Sequence, residues 1–283
     1  MDLRRAEEAL FRLLMAASAL LVAGSLAGIL LVVLIRGIPA LNLAMVTQIP
    51  HGGYYLGKEG GVLNAIAGSA CLAFGATASA LVLSLPIVLY LQKDYSSHSW
   101  FAGVTRLSLD VLWGIPSIVY GAFGFVIMLY FGLRASLLGG IIALTLVEMP
   151  IMARAMDEVV RLVPAELKDA SYTLGATRLE TTAKVVWRQA LPGLLTAVLL
   201  AFGRGIGDAA SVLFTAGYTD RLPSSLTEPV ASLPLAVFFQ LATPFPEVQQ
   251  RAYASGAILL GMVLIVSLAS RLLARKFERF VIR

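Results

Sequence analysis

The sequence predicts an all-α integral membrane protein with six transmembrane helices. Three observations predict it. Only 14% of the 283 residues are charged, against 58% hydrophobic, and the mean hydropathy is +0.83. Soluble domains carry about 25% charged residues. Long uncharged runs recur along the chain, and the basic residues sit mostly on one side of them. This balance excludes a disordered chain, a disulfide scaffold and a soluble enzyme. The single cysteine, Cys71, permits no internal disulfide, and two histidines, His51 and His98, are too few for a metal centre of their own.

A bilayer core of about 30 Å takes about 20 apolar residues at 1.5 Å each. Residues 13–35, 61–92 and 111–133 are uncharged, and 135–153 carries Glu148 alone. Residues 189–219 hold Arg204 and Asp208, and 252–270 is again uncharged. These are the six spans. A seventh uncharged run, 229–246, contains Pro229, Pro234, Pro244 and Pro246. Each proline removes a backbone donor that lipid cannot replace, so this run reads as an irregular or re-entrant outer segment.

Charge supports six. With the N-terminus inside, 16 Lys and Arg fall on the inner side. Outside lie 5, namely Arg36, Lys58, Arg134, Arg221 and Arg251. A seventh span would carry the basic tail outside, against the positive-inside rule. Both termini are therefore expected in the cytoplasm of a multi-pass inner-membrane protein surrounded by lipid. The first span is longer than a signal-peptide core and reads as a retained helix. The net charge of +5 reflects the basic inner face and needs no nucleic-acid partner. The expected organisation has three parts. Residues 1–60 supply an inner segment, first span and outer loop; 61–274 form a transmembrane core with an inner loop at about 156–190; 275–283 are a tail.

That inner loop has strong local signals. Pro164 suits a helix start and Gly175 a left-handed stop, with about three turns between them. Thr177-Arg178-Leu179-Glu180 reads as a capping box opening a second helix that leads to the fifth span. Two short helices at an angle would project as an elbow. By spacing alone, an ordinary inter-helix loop reads equally well. The residues add more: Asp169-Ala170-Ser171, then Gly175, Val185 and Ala190-Leu191-Pro192-Gly193 resemble the EAA loop of ABC importer permeases. The resemblance implies a MetI-like type I fold, with Glu166, Asp169, Ala170 and Gly175 coupling to an ATPase subunit. Asp169 stands where the family usually has Glu, and Arg188 where Pro is common.

Two intramembrane segments narrow the resemblance to phosphate-importer permeases of the PstA type. They are 114–124, which includes Pro116, Ser117 and Tyr120, and 203–210, where the family commonly has Glu at the place of Asp208. Leu213-Phe214-Thr215-Ala216 and Ala231-Ser232-Leu233-Pro234-Leu235 extend it. The resemblance implies a PstC-like permease partner, a PstB-like ATPase dimer and a PstS-like phosphate-binding protein. ATP and Mg would be used by the ATPase, with no cofactor on this chain. The chain itself lacks the G-x-x-x-x-G-K-[ST], G-x-S-x-G and H-E-x-x-H patterns.

Arg204 lies 13 residues past Leu191, or about 20 Å along a helix, deep in the membrane. An arginine there costs about 2.5–3.5 kcal/mol on insertion scales and usually marks a pathway. Asp208, four residues on, would share its helix face and offset the charge. A guanidinium fork matches phosphate oxygens, and Asp208 would accept from a protonated phosphate oxygen that ionised sulfate lacks. The substrate-pathway set is thus Arg204, Asp208, Ser117 and Tyr120. The plainer reading of Arg204 and Asp208 is a pair that locks helices together; Pro116, Ser117 and Tyr120 read as a bend in the third span beside the pathway and equally as packing residues. Glu148 is expected to reach a cation or water at the inner surface, with a gating role as the alternative; Arg106 and Asp110 are expected to pair with each other, His51 to be solvated, and Cys71 to be a small apolar residue. The competing functions are an importer of another oxyanion such as molybdate or sulfate, a membrane enzyme acting on lipid phosphates, and a secondary transporter working without an ATPase.

Overall fold

The computed structural model describes residues 2–51, 59–92 and 100–277. The chain opens with α1 (Asp2–Gly37), whose 36 residues span about 54 Å. It is exposed along nearly its whole length and touches the rest through its far end. There Gly37 brings its backbone against Tyr253, where an added Cβ would meet the Tyr253 carbonyl oxygen at 2.7 Å. The Arg36 guanidinium stands 5.4 Å from the Tyr253 ring centroid. A short helix, α2 (Leu43–Thr47), follows, capped by the Asn42 side chain, which accepts from Met45 N at 2.7 Å. Strands β1 (Pro50–His51) and β2 (Glu59–Gly60) pair antiparallel, with His51 exposed.

The core is built from α3 (Leu63–Tyr90) and α6 (Leu137–Arg161). Helix α3 presents Ala65, Gly68, Ala73, Ala76 and Ala80 as a buried face of small residues, which lets neighbouring backbones come close. Its Gly68 abuts the carbonyl of Ala231. Cys71 lies on the opposite, exposed side.

The third span is not one helix. Two helices, α4 (Trp100–Gly114) and α5 (Ser117–Tyr130), are bent 99° at a two-residue break. Pro116 has no N–H for the helix ladder, and its ring pushes Ile115 out of helical geometry. The expected continuous span 111–133 is therefore corrected to a broken pair, each half about 20 Å long at 15 and 14 residues.

After α6 come α7 (Ala165–Thr173) and α8 (Arg178–Ile206), the latter carrying a π-helical turn at Thr181–Val186. Helix α8 stops well short of residue 219, so the expected fifth span is corrected as well. Gly207 ends it, and residues 207–219 run as turns. Glycine at 203, 205 and 207 weakens helical preference there.

The proline-bearing run forms one short helix flanked by irregular chain. Helix α9 (Leu233–Leu241) has nine residues, about 14 Å, too short to cross. Ser232 caps it and Ser69 of α3 accepts from its Leu233 N at 2.8 Å. Pro234 sits in the first turn, where no donor is missed, and Pro229 and Pro244 lie outside. Helix α10 (Pro246–Phe277) completes the bundle. Five helices are long and apolar enough to cross a membrane, or six with the bent pair as one span.

Candidate functional site

The elbow forms as its local signals require. Pro164 ends its own extended segment at ψ 135° and α7 begins at Ala165. Gly175 takes φ +84°, a conformation costly for any residue with a Cβ. Thr177 and Glu180 complete the capping box: Glu180 N donates to Thr177 Oγ1 at 3.3 Å, and Thr177 N donates to Glu180 Oε2 at 3.1 Å. Glu166, Asp169, Ala170 and Gly175 are all exposed. The second helix is not separate, as expected, but runs on into α8 through the π turn. Ser171 and Thr181 hydroxyls lie 2.9 Å apart, tying α7 to that turn. The elbow and Arg204 thus share one helix.

Beneath the elbow lies an ionic clasp. Asp157, 2% exposed at its side chain, faces Arg161 at 3.0 Å, Arg106 at 3.2 Å and Arg154 at 3.7 Å. Arg154 also reaches Asp110 at 3.1 Å. The expected Arg106–Asp110 pair is corrected: both lie on α4, but α6 packs against it and supplies closer partners. Removing a buried carboxylate leaves guanidiniums facing one another. Asp157→Ala is expected to lower stability by about 3–5 kcal/mol, read as loss of thermal stability in detergent.

Arg204 sits in the last turn of α8, its side chain 52% exposed. Its NH2 stands 3.8 Å from Oδ2 of Asp208, which is 3% exposed. That is an ion pair but too long for a hydrogen bond. Asp208 Oδ1 accepts from Ser211 N at 3.0 Å. The two residues do not share a helix face as expected, because the helix ends between them; the turn after Gly207 sets the carboxylate beside the guanidinium.

With Leu112, Trp113, Ile115, Val147, Ile151 and Leu200, Arg204 lines a cleft of about 220 Å³ at the α4–α5 bend. Helix α5 packs directly on the α8 break. A Cβ on Gly121 would meet the carbonyl oxygens of Ser211 at 2.6 Å and Ala210 at 2.8 Å. The two intramembrane segments singled out in the sequence therefore meet in space. Ser117 is half-buried at the start of α5 and is not among the cleft residues. Tyr120 donates from its hydroxyl to the Leu112 carbonyl at 2.8 Å, fastening α5 to α4 across the bend. Leu112 and Trp113 were not legible as cleft residues; only the bend brings them to Arg204.

Glu148 is corrected most. It is 0% exposed and halfway along α6. Its Oε2 accepts from Thr77 Oγ1 of α3 at 2.8 Å. Helices α3 and α8 both pack on α6 and enclose the side chain.

The family described as binding-protein-dependent transport system inner membrane component matches residues 84–283. The chain belongs to that family. Curated relatives agree. The phosphate transport system permease protein PstA of Yersinia pestis is 34% identical over 241 residues, covering 85% of this chain and 81% of that protein. The PstA protein of Haemophilus influenzae is 34% identical over 246 residues, covering 86% and 85%. PstA 1 of Mycobacterium tuberculosis is 33% identical over 216 residues, covering 76% and 70%. Among solved structures, the MetNI methionine ABC transporter in an inward facing conformation has a chain that matches with TM-score 0.62 at 18% identity, covering 76% of this chain and 95% of that one. An amino acid ABC transporter chain matches with TM-score 0.58 at 19% identity, covering 76% and 92%. Both share the MetI-like fold with this member of the family.

Proposed function

We propose that this chain is the permease subunit of an ATP-driven importer of inorganic phosphate. The observation that carries the reading is the half-exposed Arg204 guanidinium, loosely paired with a buried Asp208 at an intramembrane cleft. An arginine within the hydrocarbon is expensive, and an anion passing it recovers charge-assisted hydrogen bonds in a low-dielectric setting. The phosphate named in the relatives fits that chemistry. Asp208 keeps Oδ2 free of a hydrogen-bond partner among the described residues, an acceptor for the O–H of monohydrogen or dihydrogen phosphate.

The partners in this reading are a PstC-like permease, a PstB-like ATPase pair that uses ATP and Mg, and a PstS-like phosphate-binding protein. The exposed α7 elbow is the seat for the ATPase on the cytoplasmic side. Closure of the ATPase pair moves the elbow, and α8 carries that motion to the Arg204 turn. The path then opens alternately outward and inward.

Anion competition in proteoliposomes tests the substrate. Phosphate is expected to displace labelled phosphate while equal sulfate or molybdate does not; equal competition by either overturns the reading. Asp208→Asn is expected to narrow the preference for phosphate over sulfate by about tenfold, the worth of one charged hydrogen bond. An unchanged preference removes the acceptor role.

A further inference from the structure

Glu148 is a buried acid beside the Arg204 turn that the proposed function leaves without a task. Its Oε2 is satisfied by Thr77, but its Oε1 is buried with no hydrogen-bond partner among the described residues. No described cation stands within ion-pair distance of it. A leucine would fill the same space without an orphaned oxygen, so packing alone is a poor account of an acid here.

The carboxyl bears on a single point of α8. A Cβ built on Gly205 would collide with Glu148 Oε1 and would stand 2.8 Å from its Cδ and 3.3 Å from its Cγ. The acid occupies the place a side chain would take. The neighbouring glycines provide the contrast: Gly203 has nothing within 4 Å of such an atom, and Gly207 meets only its own turn at 3.8 Å. Gly203 and Gly207 are open, and Gly205 is a seat.

Gly205 is also the residue that sets the end of the helix. Arg204 precedes it, and its carbonyl accepts from Asp208 N at 3.1 Å, closing the turn that brings the carboxylate beside the guanidinium. A shift of Gly205 moves both partners of the pathway pair. Glu148 in turn is held by Thr77, so α3, α6 and α8 meet at this turn.

We propose that Glu148 is a positioning residue for phosphate passage: its carboxyl, braced by Thr77, seats the Gly205 turn so that Arg204 faces the cleft and Asp208 stays beside it. This rests on the phosphate reading above. Glu148 itself touches no phosphate.

The test reads phosphate imported per ATP hydrolysed, in liposomes holding the complete importer and supplied with phosphate-loaded binding protein. That ratio is independent of how many complexes assemble, so a purely structural role does not move it. Glu148→Asp withdraws the carboxyl by one methylene, and Gly205→Ala fills its seat. Each is expected to lower the ratio by about fivefold or more, since small misplacements of a binding group are costly. Combined, the shorter acid leaves room for the new methyl, and the double variant is expected to return within about twofold of the unaltered ratio.

An unchanged ratio in Glu148→Asp overturns the proposal, as does a double variant that falls by the product of the singles. If Gly205→Ala does not assemble, Glu148→Asp and Glu148→Ala still read the ratio, and both must lower it. An Arg204→Gln arm separates the two layers. A normal ratio in Arg204→Gln means the phosphate reading itself has failed. A lowered ratio there, with Glu148→Asp unaffected, means that only the positioning role has failed.

Discussion

Arg204→Gln is expected to abolish most phosphate import, by about 100-fold or more per assembled complex. Two charge-assisted bonds from the guanidinium to a passing phosphate are each worth about 1.5–3 kcal/mol, and every 1.4 kcal/mol is about tenfold. Glutamine keeps a polar side chain but is two bonds shorter and carries no charge, so neither bond survives at strength. It also leaves Asp208, 3% exposed, without its guanidinium. Arg204→Lys keeps the charge as a point rather than a fork, and is expected to fall between the two. Labelled-phosphate uptake, normalised to the amount of assembled complex, is the measurement. Should the pair serve only to lock α8 against its own break, Arg204→Gln would lower assembly or thermal stability while uptake per complex stayed normal, and the pathway role would be lost.

Gly175→Val is the second large effect, in the turn that leads into the other end of α8. Gly175 holds φ +84°, and nothing lies within 4 Å of an added Cβ, so the penalty is conformational rather than a collision. A left-handed residue with a side chain costs about 1–2 kcal/mol, more when β-branched. The stop after α7 relaxes to escape it, and the exposed face of Glu166, Asp169 and Ala170 turns away from its seat. Import is expected to fall about tenfold, with the membrane chain present in normal amount and less ATPase retained on co-purification. Thr177→Ala removes one half of the capping box and is expected to do the same more weakly, since a cap is worth about 1 kcal/mol. Normal uptake and normal ATPase retention in Gly175→Val would mean that the elbow is an ordinary loop.

How legible each part was depends on how far apart its causes lie in the chain. The elbow was readable because Pro164, Gly175, Thr177 and Glu180 act within a few residues of themselves. The irregular run was readable because four prolines argue against a continuous lipid-facing helix, although the nine-residue α9 within it needed Ser69 of α3 to hold its first turn. Pro116 carried the signal for a bend in the third span, but its 99° angle was set by packing that the sequence does not show. The end of α8 was signalled by three glycines, of which only Gly205 proved to be a close approach. Glu148 and the partner of Arg106 were misplaced because the residues that Glu148 and Arg106 meet, Thr77 and Gly205 in one case and Asp157 in the other, come from other helices.

By itself the sequence determined that the chain lives in a bilayer, that it crosses several times, where the elbow begins and ends, and that an arginine and an acid share one long apolar run. Those follow from apolar run length, charge and short-range backbone preference, which neighbouring residues settle among themselves. The tertiary structure alone decided that the arginine opens on a cleft at the bend, that Asp208 reaches it across a helix end, and that Glu148 lies buried against the Gly205 turn. Each of these depends on side chains remote in the chain arriving within a few ångströms, and packing between helices, not periodicity within one, sets those distances.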